Sequence, residues 1–308
     1  MTQRPLLGFS LALLATATWG SLPMMAQQVL KYMDAQTLVW SRFVVAAVVI
    51  VFVLFITRRL PKLTELSLKD WGWCVLGVIG LSINFVLFAD ALNYISPTTN
   101  QVLWQLAPFS MILCGVLFFK EELKFFQKIG FALLIIGLIA FFNDHFDQIL
   151  QFDTYAWGIL LGAGASTIWV MYGIAQKLLL KKLNSQQVLM VIYIGCSFLL
   201  APLSTPSQLV SLSGFPLICF IYCCCNTLIG YGAYSEALNH WDTSKVSVVT
   251  TMIPIFTMLF ALIGHHFFPN TFANPDMNFI SYIGAFIVVL GAMLAAVGDK
   301  FFAKKLEK

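Results

Sequence analysis

The chain has 308 residues, of which 59% are hydrophobic and 10% charged, with a formal net charge of +4. Soluble domains carry about 25% charged residues, so a water-soluble globule is excluded and the lipid bilayer is the expected partner. The basic residues lie between apolar runs rather than in one patch, which gives no ground for nucleic acid as a partner.

Apolar runs of about 20 residues recur along the chain, each long enough to cross a hydrocarbon core of roughly 30 Å. Ten spans are predicted, at 6–26, 36–56, 71–91, 97–118, 125–143, 155–176, 186–204, 215–237, 243–264 and 279–298. The first follows Arg4 and resembles a signal peptide, but its apolar stretch continues to about Met25 and nine more spans follow. An uncleaved first span, carrying Trp19, is the better reading.

Span two holds Arg42 near its outer end. An arginine at a bilayer centre costs roughly 2.5–3.5 kcal/mol, and less where it snorkels. Two readings stand: a headgroup anchor, or an anion contact for a substrate carboxylate or a carboxylate partner. Span three closes on Asp90, and the short link 92–96 forces an antiparallel helix hairpin.

Span four carries Gln101 and Gln105, four apart and so on one helix face, with Trp104 beside them. Amides in lipid tend to face a bundle interior or a wet cavity. The alternative is interhelical glue, at about 0.6 kcal/mol per hydrogen bond. Pro108 follows within a turn; it lacks an amide hydrogen and frees a carbonyl one turn earlier, so the helix can hinge there. Span five has Gly130 and Gly137 on one face, a surface for close packing between the halves or between two protomers of a homodimer.

The second half echoes the first. Gly158 to Trp169 repeats Gly8 to Trp19 at an offset of 150, and Gly284 and Gly291 repeat Gly130 and Gly137 at an offset of 154. Glu236-Ala-Leu-Asn239 repeats Asp90-Ala-Leu-Asn93, and in both copies a proline follows 18 positions after the acid, at Pro108 and Pro254. Span nine therefore has Ser247, Thr250 and Thr251 at the positions that match Gln101, Trp104 and Gln105. Arg42 has no such partner, since Ile192 stands at the matching position.

Asp90 and Glu236 close their spans at helix C-termini, where the dipole disfavours an acid. They are read as gate contacts or proton-coupling groups, with Lys245 an inner partner for Glu236, or else as solvated interfacial acids. The aromatics Trp19, Trp40, Trp104, Trp169, Tyr172, Tyr231 and Tyr234 divide between an interfacial belt, core packing and pocket walls.

With the N-terminus inside, 16 of the 18 basic residues fall in inside segments, among them Arg58, Arg59, Lys62, Lys177, Lys181, Lys182, Lys300, Lys304, Lys305 and Lys308. The outside link 144–154 has three aspartates and no Lys or Arg. Both termini are therefore expected in the cytoplasm. Five spans per half is an odd number, so the second half lies upside down relative to the first. The expected fold is an all-α membrane protein of ten transmembrane helices in two inverted-topology five-helix repeats, 8–143 and 156–297, a recurring plan of secondary transporters.

Seven cysteines all lie within apolar runs, and consecutive positions such as Cys223-Cys224-Cys225 point 100° apart on a helix, which suits packing better than a metal. No phosphate loop, GxGxxG or HExxH is present. No metal, cofactor or catalytic set is expected.

Trp19-Gly20-Ser21, Arg42-Phe43 and Phe88-x-x-Ala91-Leu92-x-Tyr94-x-Ser96 leading to Pro108, with Glu121 and Gln127-x-Ile129-Gly130, resemble the EamA family of the drug/metabolite transporter superfamily. The resemblance spans both halves. It departs where the family has a Gly-Glu pair: the first half has Lys120-Glu121, and the second has His265-His266-Phe267. The resemblance implies a bacterial inner-membrane carrier, often an exporter of amino acids or related small metabolites. The expected substrate pathway is Trp19, Arg42, Gln101, Trp104, Gln105, Ser247, Thr250 and Thr251, with alternating access between the halves. An intramembrane enzyme and a scaffold without transport are the rival classes.

Overall fold

The computed structural model describes residues 4–275 and 277–306. The side chains of Lys300, Lys304 and Lys305, and all of Lys308, lie outside what is described. The first half contains α1 (Pro5–Val29), α2 (Ala35–Ile56), α3 (Leu68–Ala91), α4 (Pro97–Trp104), α5 (Leu106–Phe119) and α6 (Phe125–Phe141). A short α7 (Phe146–Leu150) occupies the link. The second half contains α8 (Thr154–Leu179), α9 (Ser185–Leu200), α10 (Gly214–His240), α11 (Thr243–Thr250), α12 (Ile253–Phe267) and α13 (Phe279–Leu306).

Local chemistry sets the starts. Asp34, Ser67, Ser96, Asp153 and Asn184 each cap the helix that follows, accepting from backbone amides two or three residues on. Pro97 sits in the first turn of α4, where its missing amide hydrogen is not needed. Counting α4–α5 and α11–α12 as one span each, nine helical spans among the described residues are long and apolar enough to cross a membrane. The tenth, α6, has 17 residues, about 25 Å at 1.5 Å per residue, and is apolar from Ile129 to its end. Side chains such as Val48, Phe52, Ile139, Phe198, Ile218 and Phe286 are exposed on the outside of the bundle, the surface that lipid covers.

The contacts between helices obey a two-fold relation. α1 packs along α10, and its repeat partner α8 packs along α3, the partner of α10. α2 meets α9, and α6 meets α13, each touching its own counterpart. This is the pairing that two interleaved, inverted five-span halves require. One apolar core joins α2, α3, α8 and α9 around Phe43, Leu81, Tyr172 and Tyr193.

The α6–α13 contact explains the repeated glycines. A Cβ on Gly284 would lie 2.3 Å from the backbone nitrogen of Phe141 and 2.7 Å from the Gly137 carbonyl oxygen. A Cβ on Gly130 would lie 2.7 Å from the Gly291 carbonyl oxygen. The two backbones touch, as small residues permit. The glycine faces thus close the two halves of one chain on each other, the first of the two readings the sequence offered.

Candidate functional site

Spans four and nine are not continuous helices. α4 ends at Trp104 and α5 starts at Leu106; α11 ends at Thr250 and α12 starts at Ile253. Each break lies one turn before a proline. Pro108 has no amide hydrogen for the Trp104 carbonyl, and Pro254 has none for that of Thr250. The chain tightens instead: the Gln105 amide donates to the Val102 carbonyl at 3.1 Å, and the Met252 amide to that of Val249 at 3.1 Å.

The two breaks meet. Gln105, 3% exposed, donates through Nε2 to the Thr251 carbonyl at 3.0 Å, bridging the halves where both helices are interrupted. Gln101 Nε2 donates to the Trp19 carbonyl at 3.1 Å. Thr250 and Thr251 turn their hydroxyls to the carbonyls of Ser247 and Val248 at 2.9 and 2.7 Å. A second pair of contacts repeats across the two-fold. Thr16 Oγ1 approaches the Val249 carbonyl at 3.4 Å, and Ser166 Oγ donates to the Leu103 carbonyl at 3.0 Å. Thr16 and Ser166 are related by the offset of 150, and Leu103 and Val249 by the offset of 146 that relates Asp90 to Glu236.

Arg42 is 5% exposed, so it is not anchored in headgroups. Its Nε and Nη2 both donate to Thr227 Oγ1 of α10, at 3.2 and 3.1 Å, and its guanidinium lies 5.0 Å from the Phe85 ring centroid. Among the described residues no carboxylate pairs with it. In the adjoining apolar core around Phe43, the buried hydroxyls of Tyr172 and Tyr193 have no hydrogen-bond partner. Buried polar groups are nearly always satisfied, and an unpaired buried charge costs several kcal/mol. A buried cation with spare donors has the makings of an anion site.

Aromatic rings line the surroundings of the breaks. Trp19 contacts Tyr231 and Tyr234 at centroid distances of 5.3 and 5.5 Å. Trp104 contacts Phe88 at 5.8 Å and Trp169 at 6.1 Å, and Trp169 in turn contacts Tyr172 at 6.2 Å. Trp19, Gln101, Trp104, Gln105 and Thr251 are therefore linked by hydrogen bonds and ring contacts around the two breaks, while Arg42 is held by Thr227 and Phe85. Glycine shapes these contacts: a Cβ on Gly230 would lie 2.3 Å from Trp19 Nε1.

Asp90 and Glu236 stand apart from these contacts. Each accepts a hydrogen bond at 3.0 Å from the asparagine three residues on, Asn93 and Asn239, so the repeated acid stitches the hairpin turn in both halves. Glu236 also contacts His240 Nε2 at 2.9 Å. The expected Lys245–Glu236 pair does not form, because Lys245 turns to Asp242 at 2.8 Å, three residues away on the same turn. Residues that sequence reasoning passed over are Thr227, Tyr193, Thr16 and Ser166. The last two were legible as repeat partners; Thr227 and Tyr193 needed the helix pairing.

The profile described as the EamA-like transporter family matches residues 6–143 and again 156–297. A relative named an uncharacterized transporter, from Haemophilus influenzae, is 53% identical over 99% of both chains. The uncharacterized inner membrane transporter YhbE of Escherichia coli is 39% identical over 98% of this chain and 95% of its own. A more distant relative from Escherichia coli, 23% identical over 94% of each chain, is named a probable amino-acid metabolite efflux pump. A solved crystal structure superimposes with a TM-score of 0.63 over 96% of this chain and 98% of that one, at 17% identity, a likeness of fold.

Proposed function

The chain belongs to the EamA-like transporter family and is a multi-pass membrane transporter, and on that premise we propose that it exports a small carboxylate-bearing metabolite, an amino acid or a related compound, across the bacterial inner membrane by alternating access. The observation that carries the substrate class is Arg42, buried between the halves with no counter-charge among the described residues. A substrate carboxylate supplies that charge and takes the planar fork of donors that Thr227 leaves spare.

The rest of the substrate lies against Trp19 and Trp104. Gln101, Gln105, Ser247, Thr250 and Thr251 offer polar contacts, and the Trp104 and Thr250 carbonyls freed by Pro108 and Pro254 suit an ammonium group. The units 8–143 and 156–297 rock about the two prolines, exchanging an inward-open for an outward-open arrangement, as inverted repeats permit. Asp90 and Glu236, at opposite ends of the pathway, serve as gate or coupling groups. Both termini face the cytoplasm, as the basic loops favour. Export as the direction rests on the distant relative's printed name.

The test is a comparison of metabolites inside and outside cells that make the wild type or Arg42→Gln at matched membrane levels. The expected result is a carboxylate compound enriched outside only with the wild type. Accumulation inside instead would reverse the direction. A wild-type-dependent compound with no carboxylate would overturn the substrate class.

A further inference from the structure

An open cleft of about 680 Å³ lies at the basic end of the bundle, between the link from α2 to α3 and the turn from α8 to α9. Its lining includes Arg58, Arg59, Lys62 and Lys182. Lys62 is paired with Glu65 at 3.2 Å, and Lys182 with Asp70 at 2.5 Å. Arg58 and Arg59 have no acid partner among the described residues. The cleft thus keeps two uncompensated guanidiniums on adjacent residues.

Their backbone is fixed. Arg58 holds the left-handed conformation, φ 53°, that glycine usually supplies at a helix C-terminus. The Arg59 amide reaches back to the Leu54 carbonyl at 2.9 Å, and the Arg59 carbonyl accepts from Gln187 Nε2 at 2.9 Å. Gln187 belongs to the second half, so the arginine pair is pinned against the opposite wall. The N-terminal end of α9 adds its partial positive charge to that wall. Leu60 and Leu63, 44% and 38% exposed, offer apolar surface beside the cations.

The fold does not demand these charges. On the opposite face the two-fold sets the link 201–213 against the turn from α1 to α2. That link has no Lys or Arg at all. Its inter-half contacts are neutral or acidic: Gln208 Nε2 donates to Asp34 at 2.8 Å, and the Thr205 amide to Thr37 Oγ1 at 2.8 Å. A loop charge bias for orientation accounts for basic residues on one face. It does not account for two adjacent arginines whose backbone is fixed in a cleft where the acid of the first half's link is already paired.

We infer that this cleft is a binding site for a phosphate-bearing anion, the headgroup of an anionic phospholipid or soluble phosphate. Paired guanidiniums match a phosphate through parallel N–H···O contacts, and basic pockets at a membrane face hold anionic headgroups. Arg58 and Arg59 come from the first half and Lys182 and Gln187 from the second. An occupant therefore ties the halves together at this face and favours the arrangement in which both sets of residues line one cleft.

The experiment measures thermal stability of the purified protein in three settings: nanodiscs of phosphatidylcholine alone, nanodiscs with added phosphatidylglycerol, and detergent with inorganic phosphate. Wild type is compared with Arg58→Gln/Arg59→Gln and with Lys177→Gln/Lys181→Gln, which removes two exposed charges near the same face but outside the cleft. Each basic residue near an anionic surface is worth about a factor of five in affinity, so the arginine pair is expected to contribute about 25-fold. Stabilisation by phosphatidylglycerol that is lost in the arginine variant and kept in the lysine variant supports a lipid headgroup. The same pattern with inorganic phosphate in detergent supports a soluble ligand. No stabilisation, or equal loss in both variants, overturns the site.

Discussion

Gly230→Ala offers a test of how closely the central aromatic wall is fitted. The new Cβ would lie 2.3, 2.8 and 3.0 Å from Trp19 Nε1, Cδ1 and Cε2. Ordinary contact begins near 3.4 Å, so the indole must retreat by about 1 Å. It cannot do so freely, because Tyr231 and Tyr234 hold it at 5.3 and 5.5 Å. Overpacking of this kind costs about 1–3 kcal/mol, and loosened aromatic pairs add about 0.5–1.5 kcal/mol each. Alanine returns about 1 kcal/mol of helix propensity. Gly232→Ala, on the same helix with nothing within 4 Å, receives only that gain. The difference between the two variants isolates the clash with Trp19. Gly230→Ala is expected to melt several degrees below Gly232→Ala, and to transport more slowly at equal membrane level, with shifted tryptophan fluorescence. Equal melting temperatures and equal transport for the two would refute the reasoning.

Other outcomes follow from the same contacts. Gly284→Val sets a branched side chain against the backbone of Phe141 and Gly137, where nothing can yield; loss of folded protein in size-exclusion chromatography is expected, and a stable variant would contradict the α6–α13 packing. Thr16→Val and Ser166→Ala each remove one of the paired contacts across the two-fold. Each is expected to lower stability by about 0.6 kcal/mol in thermal denaturation, and a large loss for only one would break the equivalence. Asp90→Asn and Glu236→Gln keep an oxygen for the Asn93 and Asn239 amides. The hairpins should survive, so lost pH-gradient dependence of transport in vesicles would assign coupling to that acid, and unchanged dependence in both would remove it.

Much of the fold was legible because a bilayer makes its demands in plain composition. Apolar runs near 20 residues gave the spans, and the offsets of Trp19 to Trp169 and Asp90 to Glu236 gave the repeat. Pro108 and Pro254 announced irregular helices, though the interruption falls a turn earlier, at Gln105 and after Thr250, where the unmatched carbonyls are. The short α7 went unforeseen, since one turn carries no period. Side-chain partners were the hardest part. Arg42 faces Thr227 across 185 positions of sequence, a distance that only the pairing of α2 with α10 bridges. Lys245 was matched to Glu236, nine positions away, although Asp242, three positions away on the same turn, was the nearer acid.

Counterflow in proteoliposomes tests the central claim most directly. Vesicles holding wild type or Arg42→Gln are loaded with single unlabelled metabolites and exposed to trace labelled compound. Arg42 is buried without a counter-charge among the described residues, so glutamine in its place should leave the protein folded. The account predicts trans-stimulated uptake of a carboxylate compound by wild type and none by Arg42→Gln. Wild-type rates from Arg42→Gln with the same compound would contradict it.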